Sequence, residues 1–203
     1  MTGIYDICHA AGGMSKFEWE RDPKRLGFIL ARYKFVAKML EGKTNVLEVG
    51  CADGFCSRIV RQHVGRLTAI DVDARSILEA KARASKAWPI EFYCYDIVAD
   101  GPMLGYDAVY ALDVFEHIAD EGRLLSNLRE CAPVVVVGTP SLESQTHASE
   151  LSRRGHVNCK SGQDLRRSML AHWSNVFLFG MNDETLHTGF PPMAHYLLAV
   201  GVG

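Results

Sequence analysis

Five short apolar runs alternate with helix-like stretches, and that alternation limits the fold more than any other feature. The runs are 45–50 (NVLEVG), 67–72 (LTAIDV), 90–96 (IEFYCYD), 106–113 (YDAVYALD) and 133–140 (PVVVVGTP). The stretches GFCSRIVRQHV, ARSILEAKARAS and DEGRLLSNLRECA between them place apolar residues three and four apart. Near-continuous apolar strands joined by amphipathic helices predict a Rossmann-like α/β fold, a mostly parallel sheet with helices on both faces and right-handed crossovers. Upstream, a helix is predicted to open at Asp22-Pro23, with Leu26, Ile29, Leu30, Tyr33, Phe35, Val36 and Leu40 as its apolar face. Downstream, two apolar runs flanking Pro191-Pro192 predict a closing antiparallel hairpin. The chain therefore divides into an N-terminal arm, 1–22, expected to be mobile or lid-like, and one domain, 23–203.

Length and charge narrow the functions open to such a domain. At 203 residues and 48% hydrophobic, the chain can bury one large core. Its net charge of -2 supplies no overall basic field for nucleic acid or an anionic membrane. Six cysteines, at 8, 51, 56, 94, 131 and 159, include no C-x-x-C pair, which argues against a zinc knuckle or a disulfide framework and for a reducing compartment. No run approaches the roughly 20 apolar residues that span a bilayer, and the N-terminus lacks a basic start before an apolar stretch. A soluble cytoplasmic protein is expected.

The turn after the first run is the next clue. A dinucleotide fingerprint reads G-x-G-x-x-G, its second glycine admitting a pyrophosphate and its third letting helix and strand pack closely. Here Gly50 is followed by Ala52 at the second glycine's place and Phe55 at the third, with Gly54 before it. A pyrophosphate would meet a methyl group, so the turn suits a ligand without phosphates.

VLEVGCADG, AIDVD, CYDI and ALDVFEHI, in this order and each at a strand's C-terminal end, resemble the motifs of class I S-adenosylmethionine-dependent methyltransferases over about residues 24–203. The resemblance implies a seven-stranded sheet, six strands parallel and the last antiparallel, with S-adenosylmethionine as cofactor and S-adenosylhomocysteine as product. It departs from the family at Ala52, where a glycine is usual. Carried over, it implies that Glu48 and the turn Gly50, Ala52, Gly54 hold the methionine part. Asp71, 21 residues after Gly50, would accept both ribose hydroxyls. Val72 would flank the adenine, Asp96 accept from its amino group and Ile97 lie beneath the ring, with Asp113 also on the cofactor side. Cys51 and Cys56 are read as packing residues.

Methyl transfer asks mainly for alignment of acceptor and donor, and a hydroxyl acceptor also needs a base. His117 in DVFEHI and His156 in RRGHVN are the candidates, with His187 and His195 behind them. Glu116 and His117 are expected to open a helix. The polar segment 141–164 is where substrate contacts are expected. Asp113, Glu116, His117 and His156 also resemble the E-x-x-E-H plus His arrangement of small-RNA 3'-terminal 2'-O-methyltransferases, with aspartate in place of the first glutamate. Arg153, Arg154, Arg166 and Arg167 offer such a substrate at most a local patch. The preferred expectation is no metal, no nucleic acid and no membrane, but a small-molecule acceptor of an O- or N-linked methyl, a sugar or secondary metabolite by its likeness to small stand-alone methyltransferases. The alternatives are the metal-assisted RNA enzyme and a non-catalytic protein of the same fold.

Overall fold

The computed structural model describes residues 13–203; residues 1–12 of the predicted arm lie outside the described residues. Two compact units divide the chain, one ending at Asp96 and the other covering Ile97–Gly203. The first holds helices α1 (Gly13–Arg21), α2 (Pro23–Met39), α3 (Ser57–Arg61) and α4 (Ala74–Ala82) with strands β1 (Asn45–Val49), β2 (Arg66–Asp71) and β3 (Glu91–Cys94). The second holds β4 (Ala108–Leu112), α5 (Glu121–Cys131), β5 (Val134–Pro140), α6 (Glu150–Gly155), α7 (Gly162–Leu170), β6 (Asn175–Asn182), β7 (Thr185–His187) and β8 (Tyr196–Val202).

All five predicted strands form, within a residue or three of their expected ends. In the first unit β1, β2 and β3 pair in parallel, with Val49 opposite Ile70 and Asp71 opposite Cys94. In the second, β4 and β5 are parallel, and β8 runs antiparallel to both β5 and β6. The strand order is β3-β2-β1 in the first unit and β4-β5-β8-β6-β7 in the second, eight strands in all. Every residue of β4 and all but the ends of β5 are buried, as expected of strands covered on both faces. Burying each such Val or Leu stabilises the fold by about 1.5–3 kcal/mol, which is why these runs read so clearly as strands.

Local chemistry explains the differences from expectation. There are eight strands rather than seven because β6 turns back at Asp183 and Glu184 into the three-residue β7. Asp183 takes φ +55°, a left-handed conformation that aspartate tolerates better than most residues. Arm residues 13–21 are helical, and the Gly13 N–H donates to Glu79 of α4 at 3.0 Å. The first crossover helix shrinks to Ser57–Arg61 because residues before it are used by the turn. Helix α2 opens at Pro23, and Tyr33, Phe35, Val36 and Leu40 of its predicted face are buried.

Candidate functional site

In the first unit, parallel pairing places the ends of β1 and β2 side by side, so residues just beyond Val49 meet residues just beyond Ile70. Gly50, Ala52 and Gly54 adopt φ +80°, +48° and +67°. Three left-handed residues at alternate positions coil the backbone tightly, which glycine does at no cost and alanine at about 1–2 kcal/mol. Gly54 has a second constraint: a Cβ there would lie 2.6 Å from the Phe92 ring of β3. The turn's amides point inward. Gly50 and Cys51 N–H donate to the Ile70 carbonyl at 2.8 and 3.1 Å, Ala52 to Asp71 Oδ2 at 2.8 Å, Gly54 to the Cys51 carbonyl at 2.9 Å and Phe55 to Asp53 Oδ1 at 3.1 Å. With those donors engaged, the loop is no phosphate cradle, in agreement with the reading of Ala52 and Phe55.

Asp71 ends β2 half-buried, its Oδ2 taking the Ala52 N–H and its Oδ1 the Asp73 N–H at 2.9 Å. Each carboxylate oxygen has a further lone pair, so Asp71 can hold the turn and still accept two hydroxyls. Asp71 is thus also structural, tying the turn to the end of β2. The helix cap is Asp73, which accepts from the Arg75 and Ser76 amides, and these bonds, first that from the Ser76 hydroxyl, hold its carboxyl below the usual range. Val72, beside Asp71, is 66% exposed. Asp96 is half-buried two residues beyond β3. Glu48 is buried within β1 and accepts from the Tyr33 hydroxyl of α2 at 2.9 Å. Burial, with Glu48 and Asp71 nearby, pushes the Cys51 thiol far up, so it packs and does no chemistry.

The second unit assembles a different cluster. Phe115–His117 form one 3-10 turn after β4, and the next helix, α5, starts only at Glu121. The expectation that Glu116 and His117 open a helix is therefore corrected: they lie on an isolated 3-10 turn. Glu116 is buried and accepts from the Thr139 hydroxyl of β5 at 2.9 Å. Its carbonyl takes the Val157 and Asn158 N–H groups at 2.8 and 3.0 Å, pinning segment 141–164 beside the 3-10 turn. His117 and His156 thereby come edge to face, ring centroids 5.2 Å apart. Nδ1 of His117 lies 2.9 Å from the Gly155 carbonyl, and Nδ1 of His156 lies 2.9 Å from Gln145 Oε1. One ligand-capable atom from each of Glu116, His117 and His156 lies within 4.8 Å of the others; Asp113 does not join them. Asp113 instead sits at φ +55° after β4, its N–H shared between the Gly138 carbonyl at 3.0 Å and the Tyr196 hydroxyl at 3.3 Å. Aspartate tolerates that left-handed conformation here as it does at Asp183. Ile97 is buried, its carbonyl accepting from Asn127 Nδ2 at 2.6 Å.

Residues 47–132, which carry the turn, Asp71 and the strand ends described above, match the model of a methyltransferase domain. Over those residues the chain resembles a methyltransferase domain. The chain is similar to an uncharacterised methyltransferase of Mycobacterium tuberculosis, 34% identical over 110 residues that cover 51% of this chain and 55% of the relative. It is also similar to the ubiquinone biosynthesis O-methyltransferase of Coxiella burnetii, 29% identical over 111 residues, 53% of this chain and 46% of the relative. The chain thus spans about half the length of the curated relatives it matches. In fold it resembles the N-methyltransferase NodS of Bradyrhizobium japonicum in complex with S-adenosyl-L-homocysteine, with a TM-score of 0.67 at 20% identity over 96% of this chain and 94% of that one.

The structure adds groups that the sequence pattern does not mark. Tyr33 appears in the sequence as one apolar-face residue among several, yet its hydroxyl serves Glu48. Asp53 is buried in the turn, where its position between two glycine-like residues was the available signal. Gln145 and Thr139 carry no signal at all, since what matters is which side chains tertiary packing brings to them. The candidate arginine patch resolves into solvated pairs, Arg154 with Glu150 and Arg167 with Asp164. His187 and His195 reach only Asn182 and Asp183 of the β6–β7 hairpin. No helix among the described residues is long and apolar enough to cross a membrane.

Proposed function

We propose that the protein transfers the methyl group of S-adenosylmethionine to an oxygen or nitrogen of a small molecule. The observation that carries this reading is the inward-bonded turn with Asp71 at its side, which fits a nucleoside lacking phosphates and offers its ribose two acceptor lone pairs. Bound S-adenosylmethionine supplies a methyl on an already activated sulfonium. Glu48 and the turn would hold its methionine end, Val72, Asp96 and Ile97 its adenine, and Asp113 would add a further polar contact. His117 and His156 would act on the acceptor side, one of them taking the acceptor's proton. Likeness to a ubiquinone-pathway O-methyltransferase supports a small acceptor.

A second reading is favoured by the convergence of Glu116, His117 and His156, a carboxylate and two imidazoles at spacing suited to a divalent cation. One experiment separates the readings. Labelled S-adenosylmethionine is incubated with a panel of phenols, nucleotide sugars and amines, with and without EDTA, alongside calorimetry of cofactor binding. Label transfer that survives EDTA is the expected result. Transfer abolished by EDTA and restored by magnesium or manganese supports the metal reading, and cofactor binding with no transfer to any acceptor supports a non-catalytic protein.

A further inference from the structure

Helix α5 carries one residue that its packing does not call for. Its buried face is Leu124, Leu125, Leu128 and Cys131, and Asn127 lies on that face with only 8% exposure. A side-chain amide taken out of water costs free energy unless it is hydrogen-bonded, and a leucine at that place would extend the face without the cost. Asn127 Nδ2 donates to the Ile97 carbonyl at 2.6 Å. That carbonyl belongs to residues 97–107, which lead into β4 with neither helix nor strand, so no helix or strand ladder fixes the turn at 97–100. One helical turn before Asn127, Arg123 Nη2 reaches the Ala99 carbonyl at 3.4 Å, while the Arg123 N–H is held by the Asp120 cap at 3.0 Å. Positions i and i+4 on one side of α5 thus hold alternate carbonyls of a single turn.

We propose that Asn127 is a positioning residue for the cofactor's adenine: by fixing the Ile97 carbonyl it sets where Ile97 meets the base. The proposal rests on the reading of Ile97 as the residue beneath the adenine ring. Ile97 is 4% exposed, so the surface it can offer a ring is narrow and its side chain is too closely packed to seek the ring by itself. Where its backbone is held therefore decides where that surface lies. Dispersion contacts lose roughly a quarter to a half of their strength when a gap of about 0.5–1 Å opens, so a small shift of the turn is enough to weaken binding. The support is firm because it comes from a helix packed at Leu124 and Leu128, both fully buried, rather than from another loop. It is also directional, since the amide nitrogen donates and the carbonyl can only accept. Arg123 is exposed and its contact is longer, so it assists rather than determines.

The test is calorimetry of S-adenosylhomocysteine binding to the full chain, with the Ile97 methyl signal followed by NMR and assigned by its loss in Ile97→Val. In the parent the ligand should bind and move the Ile97 methyl signal, as an aromatic ring laid beside it does. In Asn127→Leu, which keeps the face apolar and removes the donor, affinity should fall about tenfold and the methyl shift at saturation should shrink. Asn127→Ser, whose hydroxyl is too short to reach Ile97, takes its place if the leucine variant does not fold, with the same two changes expected. A variant that binds like the parent, or binds more weakly with the Ile97 shift at saturation unchanged, would overturn the proposal and leave Asn127 a packing residue. A parent that binds the ligand without moving the Ile97 methyl would overturn it too, while the methyl-transfer reading stood. A parent that bound no S-adenosylhomocysteine would overturn both.

Discussion

The turn at residues 50–54 and the cluster of Glu116, His117 and His156 aim polar groups by opposite means. In the turn, backbone conformation does the work: three left-handed residues in five wrap the amides inward, and Asp71 ties the result together with two N–H bonds. In the cluster, side chains do it. A 3-10 turn presents Glu116 and His117, and a segment some forty residues later is folded onto it by two amides on one carbonyl. The first arrangement is set by residues that are neighbours in sequence or on adjacent strands. The second has no local determinant, because His156 is held there by bonds from Val157 and Asn158 to the carbonyl of Glu116, about forty residues away. A site built from backbone should be disabled by changes of shape, and a site built from side chains by changes of hydrogen-bonding capacity.

Substituting Gly54 tests the first half of that contrast most severely. Gly54→Ala forces a side chain into a left-handed residue, about 1–2 kcal/mol, and drives its Cβ to 2.6 Å from Phe92, about 1–3 kcal/mol of overpacking. The expected loss of about 2–5 kcal/mol would lower the melting temperature by roughly 2–4 °C per kcal/mol. A variant that melted like the parent would show that the turn yields easily and that its shape is not what holds the site.

Asp71→Ala comes next, because it removes an acceptor rather than changing the backbone's shape. Hydrogen bonds to a charged group contribute about 1.5–3 kcal/mol, so affinity for S-adenosylmethionine should fall roughly ten- to a hundredfold in calorimetry. The bonds to Ala52 and Asp73 make a lowered melting temperature an expected companion. Weakened binding with unchanged melting would mean that Asp71 serves the ligand alone.

A smaller effect is expected at the anchor of segment 141–164 in the second unit. Lys160 Nζ lies 2.7 Å from Glu121 Oε2, and Ser168 donates to Oε1 at 2.9 Å. Burial works to raise the Glu121 pKa, but these partners outweigh it and hold the carboxyl below its ordinary value of 4.5. A carboxyl depressed by folding stabilises above its unfolded pKa and loses that contribution as pH falls through the folded one. Glu121→Gln should therefore cost about 1 kcal/mol or less at neutral pH and flatten the fall in melting temperature below pH 4.5. An unaltered acid limb would remove Glu121 from the anchor.

The smallest expected change is a gain. Ala52 holds φ +48° with a methyl group the turn does not need, so Ala52→Gly should relieve about 1–2 kcal/mol of strain, less the greater freedom of glycine in the unfolded chain. A net stabilisation of about 0.5–1 kcal/mol in denaturant melts is expected. A loss instead would show that the Ala52 methyl packs, and that the turn is not purely a backbone device.

By itself the sequence determined the sheet, its crossovers, and the turn with Asp71, because each is written in local pattern. Buried strands need unbroken apolar runs, helices a 3.6-residue period, and a left-handed turn small residues at alternate places. It also named His117 and His156 and, through the E-x-x-E-H plus His resemblance, their meeting with Glu116, though not that Asp113 stays apart. Tertiary structure alone decided that Asp71 is half architecture, that Glu116 and His117 lie on a 3-10 turn, that β7 adds an eighth strand, and that Gln145 faces His156. Those depend on which groups, far apart along the chain, can satisfy one another's hydrogen bonds once buried, and no periodicity records that.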